Sequence, residues 1–278
     1  MSGTLNLGIS PITVTVTTED RIETSSSSKG NQIKWHKDGR WVKADFMGYE
    51  GLAECFASWV ARNTNIGEFA PIADYFQCRV IEESTEYVSC YSNNFLAAGE
   101  TCITVQRLID DVLGIEVVRK MSKMSTVEKV KTVVDAITGA TGLENFGSWL
   151  TCLFEFDSLI LNEDRHLHNI AVIRSEQGAF RLMTLFDNGA AFCSDTRGDY
   201  PLSMTARVCI GRVKAKPFST DFRKQVTACR ELYGPQLQVK LTADDVSLEL
   251  LSGLEFYPVE VKQRVTEILK QRLTTYPV

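Results

Sequence analysis

Two short polar segments, Asn162-Glu163-Asp164-Arg165-His166-Leu167-His168-Asn169 and Phe186-Asp187-Asn188-Gly189, bracket a pattern that leaves the chain few ways to fold around them. Asn169-Ile-Ala-Val-Ile-Arg174 is a β-rich run. Ser175-Glu-Gln-Gly178 is a turn signal ending in glycine, and Ala179-Phe-Arg-Leu-Met-Thr-Leu-Phe186 is a second β-rich run. Two such runs about a short turn predict a β-hairpin. Asn169 opens the first strand and Asp187 follows the second, so antiparallel pairing returns the two side by side. Asp164 lies on the loop just ahead, facing the same cleft.

This arrangement holds the inventory that phosphoryl transfer to a hydroxyl requires. One carboxylate, Asp164, orients the hydroxyl and accepts its proton. One amide oxygen, Asn169, and one carboxylate, Asp187, hold Mg²⁺ against the phosphates. Each fragment alone reads equally as a polar surface turn, since Asp-Asn-Gly runs are common turn formers. The combination points to a site.

The order Asp-Arg-His-x-x-Asn, then a hairpin, then Phe-Asp-Asn-Gly resembles the HipA and CtkA group of bacterial protein kinases. The same loop element occurs in phosphatidylinositol 3- and 4-kinases. The resemblance implies an α+β, bilobal protein-kinase-like fold. Its β-rich N-lobe would span residues 1–106 and its mainly helical C-lobe 107–278. It also implies ATP and Mg²⁺ as cofactors and a serine/threonine protein kinase activity.

The amino-terminal half extends the match. Gly30-Asn31-Gln32-Ile33-Lys34 resembles the Gly-x-Gln-x-Lys phosphate-binding loop of the family, preceded by Ser25-Ser26-Ser27-Ser28-Lys29. Small residues let successive N–H groups turn toward an anion, although a serine run by itself is also a flexible linker. Lys43, on the alternating strand Arg40-Trp-Val-Lys-Ala-Asp45, is the expected ATP lysine. Glu54 lies inside the following helical pattern of Leu52, Phe56, Trp59 and Val60. It is its expected partner, in preference to Glu50. Charged residues at such positions are otherwise solvated. By the family pattern alone, the adenine would meet backbone around Val105, Gln106 and Arg107, where 103–108 reads as an edge strand.

The rest of the chain reads as elements. Residues 12–17 form a strand, 50–62 a helix, and 76–82 and 86–91 strands. Ser125-Thr-Val-Glu128 is a capping box opening a helix that ends near Gly139. Thr141-Gly-Leu-Glu144 is a second box, opening the apolar helix that delivers Asp164. Helical patterns follow near 218–232, 243–252 and 258–274. Arg165 is expected to brace the catalytic loop and His166 to pack beneath it. His168, next to the metal ligand Asn169, is expected to be exposed at the ATP site.

A net charge of −5 gives no basic footprint, which disfavours a nucleic-acid role. None of the eight cysteines forms a C-x-x-C pair, so they read as buried thiols of a cytoplasmic protein. No stretch is long and apolar enough to span a membrane. Only about two dozen residues precede the serine run, too few for a domain. The CtkA-like stand-alone form is therefore the closer match, and a HipB-like antitoxin partner is in doubt. The expected partner is a protein substrate. A small lipid kinase and a nucleotide-binding pseudokinase acting by contact are the alternative readings. The serines Ser25 to Ser28, beside the phosphate loop, are expected to be autophosphorylated, by resemblance to HipA.

Overall fold

The computed structural model describes residues 12–22 and 32–275. The expected phosphate-loop residues Ser25, Ser26, Ser27, Ser28, Lys29, Gly30 and Asn31 lie outside the described residues; Gln32 and Lys34 lie within them.

In chain order the elements are β1 (Ile12–Val16), β2 (Lys34–Lys37), β3 (Arg40–Ala44), α1 (Glu50–Arg62), β4 (Phe76–Glu82), β5 (Thr85–Asn93), β6 (Thr101–Thr104), α2 (Val105–Met121), α3 (Thr126–Thr141), α4 (Phe146–Ile160), β7 (Ala171–Arg174), β8 (Phe180–Leu182), α5 (Ala206–Arg212), α6 (Phe222–Tyr233) and α7 (Val259–Thr275). The first five strands form one sheet in the order β1-β4-β5-β3-β2, with only the β1–β4 pair parallel. The other three form a separate sheet in the order β6-β7-β8.

The local chemistry explains these elements. Asp38 and Gly39 both take positive φ, 49° and 71°, as a two-residue hairpin turn requires. That turn fixes the register Lys37↔Arg40 and Lys34↔Lys43. Val42 is inaccessible in a small core with Trp35, Val80 and Tyr91 on one face of the sheet. On the other face α1 buries Leu52, Phe56 and Val60 in the main core, which runs on through α3, α4, α6 and α7. The head of α1 is capped by Glu50, whose carboxylate accepts from the N–H groups of Phe46, Met47 and Gly48 at 3.2, 2.6 and 3.0 Å.

The hairpin read from sequence is present, in the register Val172↔Leu182 and Arg174↔Phe180. Gly178 takes φ +86° at its turn. Its second strand ends at Leu182, because the chain beyond leaves to meet another element: Leu185 bridges Ile72.

Four expectations need correction. The strand read over 103–108 ends at Thr104, where the threonine hydroxyl accepts from Arg107 N–H and starts α2. Val105, Gln106 and Arg107 therefore occupy a helix's first turn. The helix opened by Ser125 forms with both capping-box bonds, but runs past Gly139 to Thr141 and ends on Gly142, at φ +73°. An interior glycine is tolerated at a cost of about 1 kcal/mol. Consequently Thr141 cannot cap the next helix. Its hydroxyl donates back to Ile137 O at 2.7 Å, and α4 starts at Phe146 after Asn145. Finally, 243–252 forms two 3-10 turns, Ala243–Asp245 and Leu248–Leu251, rather than a helix.

No helix among the described residues is long and apolar enough to cross a membrane. All eight cysteines are unpaired and all but Cys102 are buried.

Candidate active site

Lys43 lies on β3, in register with Cys90 of β5 and pointing toward α1. Its ammonium sits 2.6 Å from Glu54 Oε1 and 2.7 Å from Asp187 Oδ1. Glu54, not Glu50, is thus the residue brought to Lys43, for a physical reason: Glu50 is occupied in capping its own helix, while Glu54 is one turn further in and 1% exposed. The second Glu54 oxygen accepts from Asn188 N–H at 2.7 Å. The Tyr75 hydroxyl approaches Lys43 Nζ at 3.5 Å and accepts from Asp187 N–H at 3.4 Å.

Two carboxylates share this one ammonium. Burial works against the charge of Lys43, but Asp187 and Glu54 outweigh it and hold its pKa well above the ordinary lysine value. Burial also opposes the Asp187 carboxylate, yet Lys43 and Lys34 hold its pKa below the usual carboxylate range. Burial pushes the Glu54 carboxyl up, with Lys43 pulling the other way. Lys34 reaches this cluster electrostatically from β2, and Gln32 donates to Ala44 O at 2.9 Å beside it.

The loop before the hairpin is built around Arg165, which is 1% exposed. Its guanidinium makes a fork on Asp157 of α4, with Nε to Oδ2 and Nη2 to Oδ1 both at 3.0 Å. Nη1 donates to Phe186 O at 2.9 Å and reaches Asn169 O at 3.4 Å, and Nη2 donates to Asn188 Oδ1 at 2.6 Å. One buried cation thereby clamps the residues flanking Asp187 to the backbone of Asn169. Asp187 itself sits at φ +60°, a left-handed conformation that Asp tolerates better than most residues.

Asn169 donates its amide N–H to Asp164 O at 2.9 Å, so its amide oxygen is the atom that would serve as a ligand. An amide oxygen and a carboxylate are hard donors, the kind Mg²⁺ takes while keeping waters and phosphate oxygens in its other positions. No group of three or more His, Cys, Asp or Glu gathers among the described residues, so a site ligated by protein alone is not offered. The donor set fits Mg²⁺ brought with a nucleotide.

Asp164 is largely buried and its Oδ1 accepts from Lys216 Nζ at 2.8 Å. His166 is half-buried, with Nε2 3.8 Å from Asp164 Oδ2, too long for a hydrogen bond. Burial lowers its pKa. His168 is exposed, its ring edge-on to that of His166.

The expected adenine contacts, Val105, Gln106 and Arg107, lie in the first turn of α2. Val105 N–H donates to Ile170 O at 2.8 Å and Gln106 N–H to Leu167 O at 3.1 Å, so both donors are used within the protein. Val105 is also inaccessible. The chain passes from one sheet to the other earlier, through 94–100, where Phe95 and Leu96 pack on Ala171, Ile173 and Met183. The Phe95 and Phe186 rings lie 5.7 Å apart there.

Sequence reasoning passed over Asp157, Tyr75 and Lys216. Asp157 left a usable signal, an acid that, like Glu155, lies inside a mainly apolar helix and demands a buried partner. Lys216 left none, because it reaches Asp164 across 52 residues of chain.

The segment after Asp187 is tied down. Tyr200 donates its hydroxyl to Glu163 Oε2 at 2.7 Å, and Arg264 of α7 donates to Tyr200 O and Pro201 O at 2.7 Å. Ser194 and Tyr200 are buried, and Thr196 is half-buried.

No protein-family model matches the sequence, and no curated protein matches it. Solved structures do. The structure of the Helicobacter pylori proinflammatory kinase CtkA superimposes with a TM-score of 0.59 at 15% identity, covering 95% of each chain. HipA of Shewanella oneidensis MR-1, solved with HipB and its operator DNA, gives 0.48 at 12%, over 93% of this chain and 66% of that one. The chain is therefore similar in fold to CtkA: an α+β, bilobal protein-kinase-like architecture, with a β-rich part carrying Lys43 and a mainly helical part carrying Asp164.

Proposed function

We propose that this chain is a kinase that transfers the γ-phosphate of MgATP to serine or threonine hydroxyls of protein substrates. The observation that carries the reading is the Lys43 ammonium bridging Glu54 and Asp187, beside a loop that Arg165 locks with Asp164 and Asn169 in place. A strand lysine fixed by a helix glutamate is the arrangement that holds ATP phosphates in protein kinases.

In this reading Lys43 turns from Asp187 toward the α and β phosphates while Glu54 keeps it in position. Asp187 and Asn169 would hold Mg²⁺, which would supply positive charge against the phosphates. Asp164 aligns the acceptor hydroxyl and takes its proton. Lys216, 2.8 Å from Asp164 Oδ1, fixes that carboxylate's orientation. The nucleotide lies between the sheet of β1 to β5 and the helical part, taken as lobes of residues 1–106 and 107–278. By the family resemblance Ser28, Lys29, Gly30 and Asn31 bind the ATP phosphates, and Ser25 to Ser28 are autophosphorylated. The protein works in the cytoplasm.

Incubation with labelled ATP and Mg²⁺, alone and with cell lysate, followed by mass spectrometry, tests the assignment. Asp164→Asn should cut transfer by orders of magnitude, at least the roughly 10²-fold that general-base removal costs, with MgATP affinity nearly unchanged. Asp187→Ala should weaken nucleotide binding in Mg²⁺ far more than in EDTA. Equal ATP affinity with and without Mg²⁺ in the parent protein would sink the metal site.

A further inference from the structure

Lys216, which meets Asp164 at 2.8 Å, belongs to a basic strip of sequence in an otherwise acidic chain. Between Arg207 and Lys224 the sequence carries six Lys or Arg and a single acid, Asp221. Asp221 is occupied as the N-cap of α6, accepting from Lys224 N–H at 3.1 Å. The structure places one residue of this strip at the site. Lys216 is held at Asp164. Ala215, immediately before it, is 1% exposed, and its N–H donates to Thr220 O. Val213 has left α5 in an extended conformation, φ −60° and ψ 137°. Lys214 is two residues before Lys216, so their Cα atoms lie within about 7 Å of each other. Lys214 is exposed, as is Arg212 at the end of α5.

The loop is built to hold this arrangement. Gln225 of α6, 1% exposed, donates to Lys216 O at 2.8 Å. Its Oε1 accepts from Phe218 and Ser219 N–H at 3.0 and 3.3 Å. The Phe218 ring stands edge-on to Phe154 of α4 at 5.7 Å. A buried glutamine satisfying three backbone groups rigidifies the loop that carries Lys216. The neighbour of Lys216 is the carboxylate assigned to the acceptor hydroxyl.

We propose that Arg212, Lys214 and Lys216 form a specificity strip that selects acceptor peptides carrying Asp or Glu beside the phosphorylated Ser or Thr. This rests on the kinase reading of the same site. Complementary charge at an interface rim sets partner choice and encounter rate. A narrow strip suits a peptide better than an anionic bilayer, which would meet the repulsion of a chain of net charge −5.

Binding can be measured without turnover. Fluorescein-labelled peptides of identical length, one with Glu and one with Lys flanking a central Ser, are titrated with the protein by anisotropy at two salt concentrations. The Glu peptide should bind about tenfold tighter, with the gap narrowing as salt rises. Lys214→Glu, and independently Arg212→Glu, should abolish or invert the preference with an unchanged melting temperature. Either exposed site suffices should the other variant fail to fold. Equal binding of the two peptides, or a preference that survives both reversals, overturns the proposal. So does tighter binding to phosphatidylserine vesicles than to the Glu peptide. MgATP titration of the same preparation reports on the kinase reading by itself: ATP binding without acidic preference refutes only the strip.

Discussion

Replacing Arg165 with methionine keeps most of its volume and deletes its charge, which isolates what the buried clamp contributes. Asp157 and Arg165 are each 1% exposed. In Arg165→Met, Asp157 retains only the Asn162 amide at 3.2 Å. Removing one partner of a buried ion pair costs about 3–5 kcal/mol. The Phe186 carbonyl and Asn188 Oδ1 also lose donors, each worth about 1–3 kcal/mol if left buried. These terms overlap, so a loss on the order of 5 kcal/mol is expected, a large share of the roughly 5–15 kcal/mol that holds a folded protein together. At about 2–4 °C per kcal/mol for chains near this length, the melting temperature should fall by roughly 10–20 °C. Burial already raises the Asp157 pKa against the pull of Arg165. Without the arginine that carboxyl takes up a proton more readily. The deficit should therefore be smaller at pH 5 than at pH 8, since stability held by a raised acid is lost as pH rises. Urea unfolding followed by circular dichroism at both pH values measures this, alongside Asp157→Asn/Arg165→Met. The double variant has no stranded charge and should recover a substantial part of the loss. A single variant within about 1 kcal/mol of the parent, or a double variant no more stable than the single, would refute the clamp.

Burial and the neighbouring Glu50 push the half-buried Asp45 carboxyl up to about 8, against the Gly51 N–H that donates to it at 2.6 Å. The unfolded chain releases this proton near pH 4, so stability should fall as pH rises from about 4 to 8. Asp45→Asn should flatten that slope in a melting series, and an unaltered slope would mean that Asp45 is ionised in the native state. Gly48 has no room for a side chain: a Cβ would stand 2.0 Å from Ser194 O and 2.9 Å from Thr196 N, both backbone atoms. Gly48→Ala should cost about 1–3 kcal/mol and speed proteolysis between 194 and 204. Unchanged cleavage would show that the two segments do not depend on each other.

Much of this molecule was legible in the linear chain wherever the deciding interactions are local. The Ser125–Glu128 capping box and the hairpin of β7 and β8 each depend on residues within a few positions of one another. Their period and turn chemistry state them directly. The expectation for the site residues was local for a related reason. Asp164, Asn169 and Asp187 sit at fixed offsets about one hairpin, and in the fold Arg165 joins the carbonyls of Asn169 and Phe186 while Asn169 donates to Asp164 O. The choice of Glu54 over Glu50 followed from depth within α1, though only the fold revealed that Glu50 is consumed by the helix cap. Failures of the sequence reading fall where two alternatives are locally equal. Residues 103–108 suit a strand or a helix start, and the β6–β7 pairing decides, because Val105 and Gln106 must give their N–H groups to Ile170 and Leu167. Thr141 can cap or can close the preceding helix, and the glycine at 142 settles which. The Asp157–Arg165 clamp and the Lys216–Asp164 contact belong wholly to the tertiary structure. A buried charge finds its partner through packing of whole elements, and no spacing in the sequence records that distance.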